Sequence, residues 1–293
     1  MRHIQKGNVK ESLRVSFWDG FFCSCMSGFV SDYLTPYALA LKATPGDIGI
    51  LSATPSLVAT LTQSKSPDLT ERLRSRKKTM GIFVLLQALV LIPIMAIPYA
   101  FQSSPIIALI IFATIFTALG GLANPPWASL MAEYIPSRKR GQYFGWRNKV
   151  LGIVTVIASG ISGLILYFLT HDVFGAFLLI LTLACVCRLI SFYFLTRMYE
   201  PPFRPEEQAY FSFWDFIRRM RYSNFAKFVL FAASFNFCVQ IAAPFFPVFM
   251  LKDLQFSYLT YMLLTIATTA TQFIAIGRWG RLADRAGNIK VLK

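Results

Sequence analysis

The sequence has few of the residues that enzymes use for hydrolytic or metal chemistry. Its 293 residues include two histidines, His3 and His171, and neither has sequence neighbours that would complete a metal site or a nucleophilic triad. No glycine-rich phosphate loop follows a strand, since no segment is predicted to be a strand. We therefore expect no enzymatic activity, no cofactor and no bound metal ion.

Charged residues of either sign are scarce as well. They make up 15% of the chain, whereas hydrophobic residues make up 55%, and the mean hydropathy is +0.53. This composition excludes a soluble domain of such length. A helix needs about 20 apolar residues to cross a hydrocarbon layer about 30 Å thick. Eight segments are predicted to do so: 17–41, 48–65, 79–100, 105–132, 148–170, 173–198, 224–251 and 256–277. The predicted fold class is all-α, a polytopic membrane protein.

Acidic residues are the rarer charge, with 14 against 29 lysines and arginines. A net charge of +15 would suit a nucleic-acid partner, but the positions of the basic residues argue against one. Twenty-five of the 29 fall in segments on one side of the predicted spans: 1–16, 66–78, 133–149, 197–227 and 278–293. This is the positive-inside pattern of a protein that has the lipid bilayer as its partner. We expect a multi-pass protein of the inner or plasma membrane with a cytoplasmic N-terminus, no nucleic-acid partner, and an interfacial helix over the aromatic and basic run 211–221.

Prolines within the apolar segments predict helix breaks. A proline removes the amide that would bond the carbonyl four residues earlier, and Pro36 therefore frees the carbonyl of Asp32. The same relation recurs between Pro244 and Gln240, and both members of this pair lie 208 residues after their counterparts. A further break is expected at the adjacent residues of the fourth span, which are Pro125 and Pro126.

The recurrence indicates a parallel repeat of six-helix units. Thr62-Gln63 of the second span recurs as Thr271-Gln272 of the eighth, 209 residues later. The predicted organisation is a six-helix bundle over 1–198, a cytoplasmic linker over 199–222 and the first two helices of a second bundle over 223–293.

Two segments on the basic side carry a shared motif. The later one reads G-x-x-x-D-R-x-G, with its glycines at Gly280 and Gly287 and its charged pair at Asp284 and Arg285. The earlier one is an imperfect echo from Pro67 to Lys78. Its charged pair is Glu71 and Arg72, and Pro67 and Arg74 stand where the motif has glycines. With the segment Gly141-Gln-Tyr-Phe-Gly145, these resemble the signature loops of the major facilitator superfamily.

The resemblance implies secondary active transport of a small solute by two bundles that rock about a central cavity. Proton coupling is the commoner expectation in such a family, with sodium coupling and uniport as alternatives. Efflux of drugs or other amphipathic compounds by antiport is the alternative within the family. Outside it stand a channel, a non-transporting receptor and a membrane-embedded enzyme. A complete member would continue for four more spans, so we expect the chain to be C-terminally incomplete, with about eight of the usual twelve helices.

The resemblance also assigns a gating role to the two motif segments, on the cytoplasmic side. The motif acid of such proteins contacts a helix end in the opposite bundle. Asp284 is accordingly expected beside the N-terminus of the fifth helix, near residues 145–149, where the helix dipole and basic side chains favour an anion. Glu71 is expected to contact a helix that the chain lacks.

Polar side chains within spans are the candidates for the solute and ion cavity. Asp32 is the first choice, because an acid inside a membrane segment is functional by default. Its alternatives are a structural ion pair or a position at the outer interface. Asp19 is the second, with an interfacial or packing role as its alternative. The supporting candidates are Asn124, Arg147, Asn236 and Gln240.

Two further polar features of the spans have no single interpretation. The hydroxyl residues of the second and eighth spans either bond their own helices or line a wet cavity. Arg188 lies in the middle of the sixth span, and its partner cannot be identified from the sequence.

Overall fold

The computed structural model describes residues 2–201 and 224–286, and in these ranges every regular element is helical. The all-α prediction is therefore confirmed. The ten helices of the described ranges are α1 (Arg2–Val30), α2 (Leu34–Ala40), α3 (Pro45–Gln63), α4 (Ser66–Leu73), α5 (Arg76–Ala100), α6 (Pro105–Tyr134), α7 (Ser137–Phe168), α8 (Val173–Thr196), α9 (Asn224–Ala242) and α10 (Tyr258–Ala286). Between α9 and α10 lie a 3-10 turn (Ala243–Phe245), an α-helical turn (Phe246–Val248) and a π-helical turn (Phe249–Asp253).

Five stretches of the described chain are long and apolar enough to cross a membrane. They are α5, α6, most of α7, α8, and the run Lys227–Asp253, which covers most of α9 and the three turns after it. Many of their large apolar side chains are exposed, among them Ile82, Leu86 and Leu89 on α5, as expected of residues that face lipid. The other three predicted spans correspond to α1 with α2, to α3 and to α10. They are more polar, and their crossing of the bilayer stays a prediction.

The helices pack as a bundle. Helix α1 lies against α7 and α8, α5 lies against α6 and α8, and α3 lies against α6. Glycine allows the closest of these contacts: a Cβ atom at Gly28 of α1 would lie 2.4 Å from the carbonyl oxygen of Thr155 on α7. Helix α10 also packs on α7, where a Cβ atom at Gly163 would lie 2.4 Å from the Cγ of Met262.

Local sequence signals set the start of several helices. Thr44 and Asp47 form a capping box at the start of α3, and Pro45 occupies its first turn. Hydrogen bonds donated by the Thr44 backbone and hydroxyl lower the pKa of the exposed Asp47 carboxyl. At the start of α5 the Ser75 hydroxyl accepts a hydrogen bond from the Lys78 amide. At the start of α8 the Asp172 carboxylate accepts one from the Gly175 amide. These caps place the helix ends, and with them the inward-facing side chains.

The proline-rich segments differ from the expectation at one position. The chain is interrupted at Ser31–Tyr33, just before Pro36, and α9 ends at Ala242, just before Pro244. The break expected at Pro125 and Pro126 does not occur. Helix α6 continues through both residues. The Ser66 hydroxyl donates a hydrogen bond of 2.7 Å to the carbonyl of Leu122, which Pro126 frees, so that the helix persists without its own bond there.

The two motif segments are helical rather than loops, which corrects that prediction. Glu71 and Arg72 lie on α4, and the reversal that follows is made by Arg74 in the left-handed conformation (φ 48°). Gly280, Asp284 and Arg285 lie on the backbone of α10.

Three further expectations concern this side of the molecule. Helix α7 begins at Ser137, so residues 145–149 lie about two turns inside it and not at its N-terminus. Pro136, whose backbone is extended (ψ 140°), immediately precedes the helix and sets its start. Gly287 and the predicted interfacial helix 211–221 lie outside the described residues.

Candidate functional site

Five helices line a cavity of about 310 Å³, a volume at the small end of the range for ligand sites. Helices α1, α5, α6, α7 and α8 each contribute one charged or amide side chain to its wall. These side chains are Asp19, Gln87, Asn124, Arg147 and Arg188. The structure thus brings together three of the sequence candidates, Asp19, Asn124 and Arg147.

Asp19 is 5% exposed, and a neighbouring hydroxyl holds its carboxylate. The Ser191 hydroxyl of α8 donates to Asp19 Oδ1 at 2.7 Å. Arg188 Nη1 donates to the same Ser191 oxygen at 3.2 Å, so the hydroxyl links the guanidinium to the carboxylate. A buried carboxylate needs such a partner, because an unpaired buried charge is costly.

Arg188 is also 5% exposed. The structure identifies its hydrogen-bond partners, which the sequence left open. Besides Ser191, its Nη1 reaches the Sγ atom of Cys23 on α1 at 3.1 Å. Its Nε atom has no hydrogen-bond partner among the described residues. Both partners of Arg188 are uncharged, and part of its donor capacity remains unused.

Arg147 enters the cavity from α7 and is 7% exposed. Its Nη2 donates to the carbonyl of Ser16 at 3.3 Å, and its guanidinium carbon lies 4.7 Å from the ring centre of Trp127. Gly20 of α1 makes room for it, because a Cβ atom there would lie 2.2 Å from Nη2. The Nε atom of Arg147, like that of Arg188, has no partner within the described part of the chain.

Gln87 of α5 completes the polar wall, and sequence reasoning did not single it out. Its Nε2 donates to the carbonyl of Phe116 at 3.0 Å, whereas its buried Oε1 accepts no hydrogen bond from any described residue. The sequence feature that could have identified Gln87 is a single amide side chain in an otherwise apolar span.

The charges on the cavity wall are not balanced. Two guanidinium groups and one carboxylate line it, and both guanidiniums lie within electrostatic reach of that carboxylate. Yet no described carboxylate oxygen lies within 4.0 Å of Arg147 or Arg188. The described residues also include no cluster of three or more histidine, cysteine or acidic side chains that could hold a metal. The wall is therefore arranged to attract a negatively charged group.

Asp32 does not line this cavity. The structure places it where α1, α7 and α10 meet: its Oδ2 accepts from the Ser159 hydroxyl at 2.8 Å. Its backbone carbonyl, freed by Pro36, accepts from the Tyr261 hydroxyl at 2.8 Å. Through these two bonds Asp32 connects the described range 2–201 with the range 224–286.

The other candidates of the second half lie apart from the cavity. Asn236 and Gln240 are exposed on α9, and the Asn236 amide donates to the carbonyl of Ala232 on its own helix at 2.8 Å. The hydroxyls of α3 and α10 also bond their own helices, as in the 2.8 Å bond from Thr60 to Ser56 and the 3.0 Å bond from Thr265 to Tyr261. These bonds favour the interpretation that the hydroxyls bond their own helices over the one in which they line a wet cavity.

The basic side of the bundle is tied together at the start of α5. The Glu200 carboxylate lies at that helix N-terminus, where it accepts from the Arg76 amide at 2.5 Å and from the Ser75 hydroxyl at 2.6 Å. Arg76 also pairs with Glu133 at the end of α6, at 2.9 Å. The Glu71 and Arg72 side chains are exposed on the neighbouring helix α4.

A comparison with models of protein families identifies a relationship. The family model described as Major Facilitator Superfamily matches residues 18–293, which is most of the chain. A search of curated proteins finds no match.

Proposed function

Because the chain belongs to the major facilitator superfamily, we propose that it carries a small solute across the bilayer by alternating access, with a proton as the coupling ion. Members of this family are secondary transporters and not enzymes, and the chain is accordingly a multi-pass membrane protein. The observation that carries the proposal is the cavity of about 310 Å³ to which α1, α5, α6, α7 and α8 each contribute a charged or amide side chain.

Alternating access requires a site whose surroundings favour one of two states of the protein. A cavity within the bundle, with charged groups on several helices, is such a site. Each of those groups can change partners when the helices move. The contacts between α10 and α7, and between Tyr261 and Asp32, lie where the two parts of the chain would separate.

Asp19 is our candidate for the proton carrier. It supplies the carboxylate on the cavity wall, and it is 5% exposed. A carboxyl group can hold a proton in one state and release it in the other as its partners change. Asp32, at the junction of α1, α7 and α10, is the second candidate.

The membrane orientation and the domain organisation are part of the same proposal. We place the N-terminus and the basic segments in the cytoplasm of a cell whose plasma or inner membrane holds the protein. The packing of α1, α3 and α5–α8 supports a first bundle over 1–198, followed by a linker over 199–222 and the start of a second bundle over 223–293. Helix α9 has little packing of its own in the described chain, since none of its apolar window is buried.

A cytoplasmic gate formed by the two motif segments completes the proposal. Its residues are Glu71, Arg72, Gly280, Asp284, Arg285 and Gly287. The position of α4 beside the basic end of α5 supports the first half of this gate. Asp284→Asn is expected to change the balance between inward-open and outward-open states without abolishing solute binding.

The proton role is tested with the full-length protein in liposomes that contain a pH-sensitive dye. Candidate solutes of four kinds, lactate, glucose, alanine and choline, are added outside, in vesicles of both orientations. We expect at least one to move protons with it in the wild type. Asp19→Asn should lose this proton movement and keep solute exchange, whereas Glu11→Gln, an exposed acid on the same helix, should behave like the wild type.

The outcomes separate the parts of the proposal. Proton movement that persists unchanged in Asp19→Asn would remove the residue from the coupling. A rate of solute uptake that does not change with an imposed pH gradient would refute proton coupling. The vesicle orientation that gives accumulation shows whether the protein imports or exports.

A further inference from the structure

Resting on the proposed transport function, we infer that the solute is a small organic monoanion: a carboxylate, bound between the guanidinium groups of Arg147 and Arg188, that also carries a hydroxyl group. Neither the family nor the fold specifies this class of substrate, because members with very different substrates share one architecture. The unused hydrogen-bonding atoms and the charges of the cavity wall carry the inference.

The first observation is the unused donors of the two arginines. Both side chains are more than nine-tenths buried, and both line the cavity. On the guanidinium groups themselves, Arg147 Nη1 and Arg188 Nη2 donate to no described residue. Buried donors without a partner are rare and unfavourable, so a bound group with two acceptor oxygens would complete the site. A carboxylate presents these oxygens in a planar geometry that matches a guanidinium.

The second observation is the charge on the wall. Asp19 contributes one negative charge and the two arginines contribute two positive charges, which leaves an excess of one positive charge. Asp19 is held by the Ser191 hydroxyl, and its oxygens are more than 4.0 Å from both arginines. A single carboxylate on the solute balances this excess. A phosphate monoester, with a charge of about −1.5 to −2, exceeds it.

The third observation concerns the opposite hydrogen-bonding type. Asn124 lines the cavity, and its amide makes no hydrogen bond with another described residue. A hydroxyl on the solute would donate to the Asn124 amide oxygen. The cavity volume of about 310 Å³ limits the solute to a small one.

The test measures binding separately from transport. Thermal unfolding of the full-length protein in detergent is followed with lactate and glycerate, with their uncharged counterparts lactamide and glycerol, and with methyl phosphate, all at equal ionic strength. We expect lactate or glycerate to raise the melting temperature in a concentration-dependent way. The uncharged compounds should not, and methyl phosphate should bind more weakly.

Variants of the wall then connect the binding to named atoms. Arg147→Gln and Arg188→Gln should each weaken binding by at least about tenfold, the order expected for a hydrogen bond to a charged group. Arg197→Gln, which removes an exposed arginine at the end of α8, should leave binding unchanged. Arg188→Lys should retain part of the affinity, because it keeps the charge and loses the planar donor pair.

Asp19→Asn keeps the proposal testable if the arginine variants fail to fold. It removes a like charge from the site, and it should tighten lactate binding by at least roughly tenfold, because one charge at a few ångströms contributes about that much even in a medium of high effective dielectric. A structural role for the cavity would predict weaker or unchanged binding. Equal stabilisation by lactamide, no shift with either carboxylate, or weaker or unchanged binding in Asp19→Asn would each overturn the inference. Stronger binding of methyl phosphate than of lactate would overturn the assignment to a carboxylate.

Failure of the transport proposal would look different. Lactate binding with no flux of any solute in liposomes would refute transport and leave the anion site standing. Flux of a neutral or cationic solute that is unaffected by Arg188→Gln would refute the anion inference and leave the transporter standing.

Discussion

At the scale of single residues, three proline-freed carbonyls are satisfied by hydroxyl groups from other helices. Each carbonyl lies four residues before a proline, so that no helix amide reaches it. The three donor and acceptor pairs are Tyr261 with Asp32, Tyr37 with Ile94, and Ser66 with Leu122, at 2.8, 2.9 and 2.7 Å. In lipid an unsatisfied carbonyl costs several kcal/mol, so these hydroxyls allow prolines inside the bundle. Each bond also joins two helices that are distant in sequence.

The pair formed by Tyr37 and Ile94 allows a direct test. Tyr37→Phe keeps the packing and removes the donor, so we expect a loss of about 1–2 kcal/mol in unfolding free energy. Pro98→Ala restores the amide that bonds Ile94 within α5. In that background Tyr37→Phe should cost less, by at least about 0.5 kcal/mol. Thermal unfolding of the four proteins in detergent gives the coupling.

Tyr99→Phe, which removes an exposed hydroxyl from the same helix as Ile94, is the matched control and should have little effect. An equal cost of Tyr37→Phe with and without Pro98 would show that the proline is irrelevant to this bond.

At the scale of helices, the start of α5 depends on a carboxylate from after α8. The amides of Arg76 and Lys77 and the hydroxyl of Ser75 donate to Glu200, and the positive end of the helix dipole favours the same charge. The backbone amide of Tyr199 donates to the Ser12 hydroxyl of α1 at 2.9 Å. The segment after α8 therefore holds α1 and α5 together on the basic side.

Glu200→Gln should weaken this connection. The amide keeps the size of the side chain and loses the charge, and we expect a loss of about 1–2 kcal/mol in stability, the upper range for a cap with a dipole contribution. Limited proteolysis between α8 and α9 should also become faster. Glu11→Gln removes an exposed carboxylate with no described partner and is the control. If both variants lost the same stability, the effect would come from net charge and not from the cap.

At the scale of the whole molecule, the contact between α7 and α10 joins the described range 224–286 to the helices of the range 2–201. Its closest point is Gly163, where a side-chain carbon would lie 2.4 Å from Met262. Tyr261, the residue before, donates to the carbonyl of Asp32 on α1. Helix α7 is also the helix that carries Arg147 into the cavity, so that the cavity and this contact share a rigid element.

A graded series of alanine substitutions on α7 tests the role of this contact. Gly163→Ala should force α10 away from α7 and change the balance of inward-open and outward-open states, measured by labelling of single cysteines on either side of the membrane. Gly160→Ala meets only the tip of Ile266 at 3.2 Å and should have a smaller effect. Gly141→Ala meets no atom within 4 Å and should have none. The same accessibility in all three variants would mean that this contact does not control the balance.

The architecture at this scale was largely readable from the sequence. Lipid requires every backbone group to be bonded within a helix, so long apolar runs left few alternatives to an all-α fold, and five of these runs meet the length and composition of a span in the described chain. Local rules were less secure where helices pack. Helix α6 continues through Pro125 and Pro126, and Ser66, 56 residues before Leu122, satisfies the Leu122 carbonyl that Pro126 frees.

The membership of the cavity could be predicted only in part. Asp19, Asn124 and Arg147 stand out as polar residues in apolar segments, and they do meet. Asp32 satisfied the same criterion and lies elsewhere, and Gln87 and the partners of Arg188 were not identified.

Composition and hydrophobic runs thus determined that the protein is helical and that it lies in a membrane. They also determined which side of the predicted spans carries the positive charge. Each of these properties depends on the solvation of short segments by lipid or water. The tertiary structure decided which polar groups face one another and with what excess of charge. Ser191 and Asp19 are 172 residues apart in the chain, and their contact depends on the rotation of two helices about their own axes. That rotation is set by the packing of side chains on all the neighbouring helices, which no local pattern records.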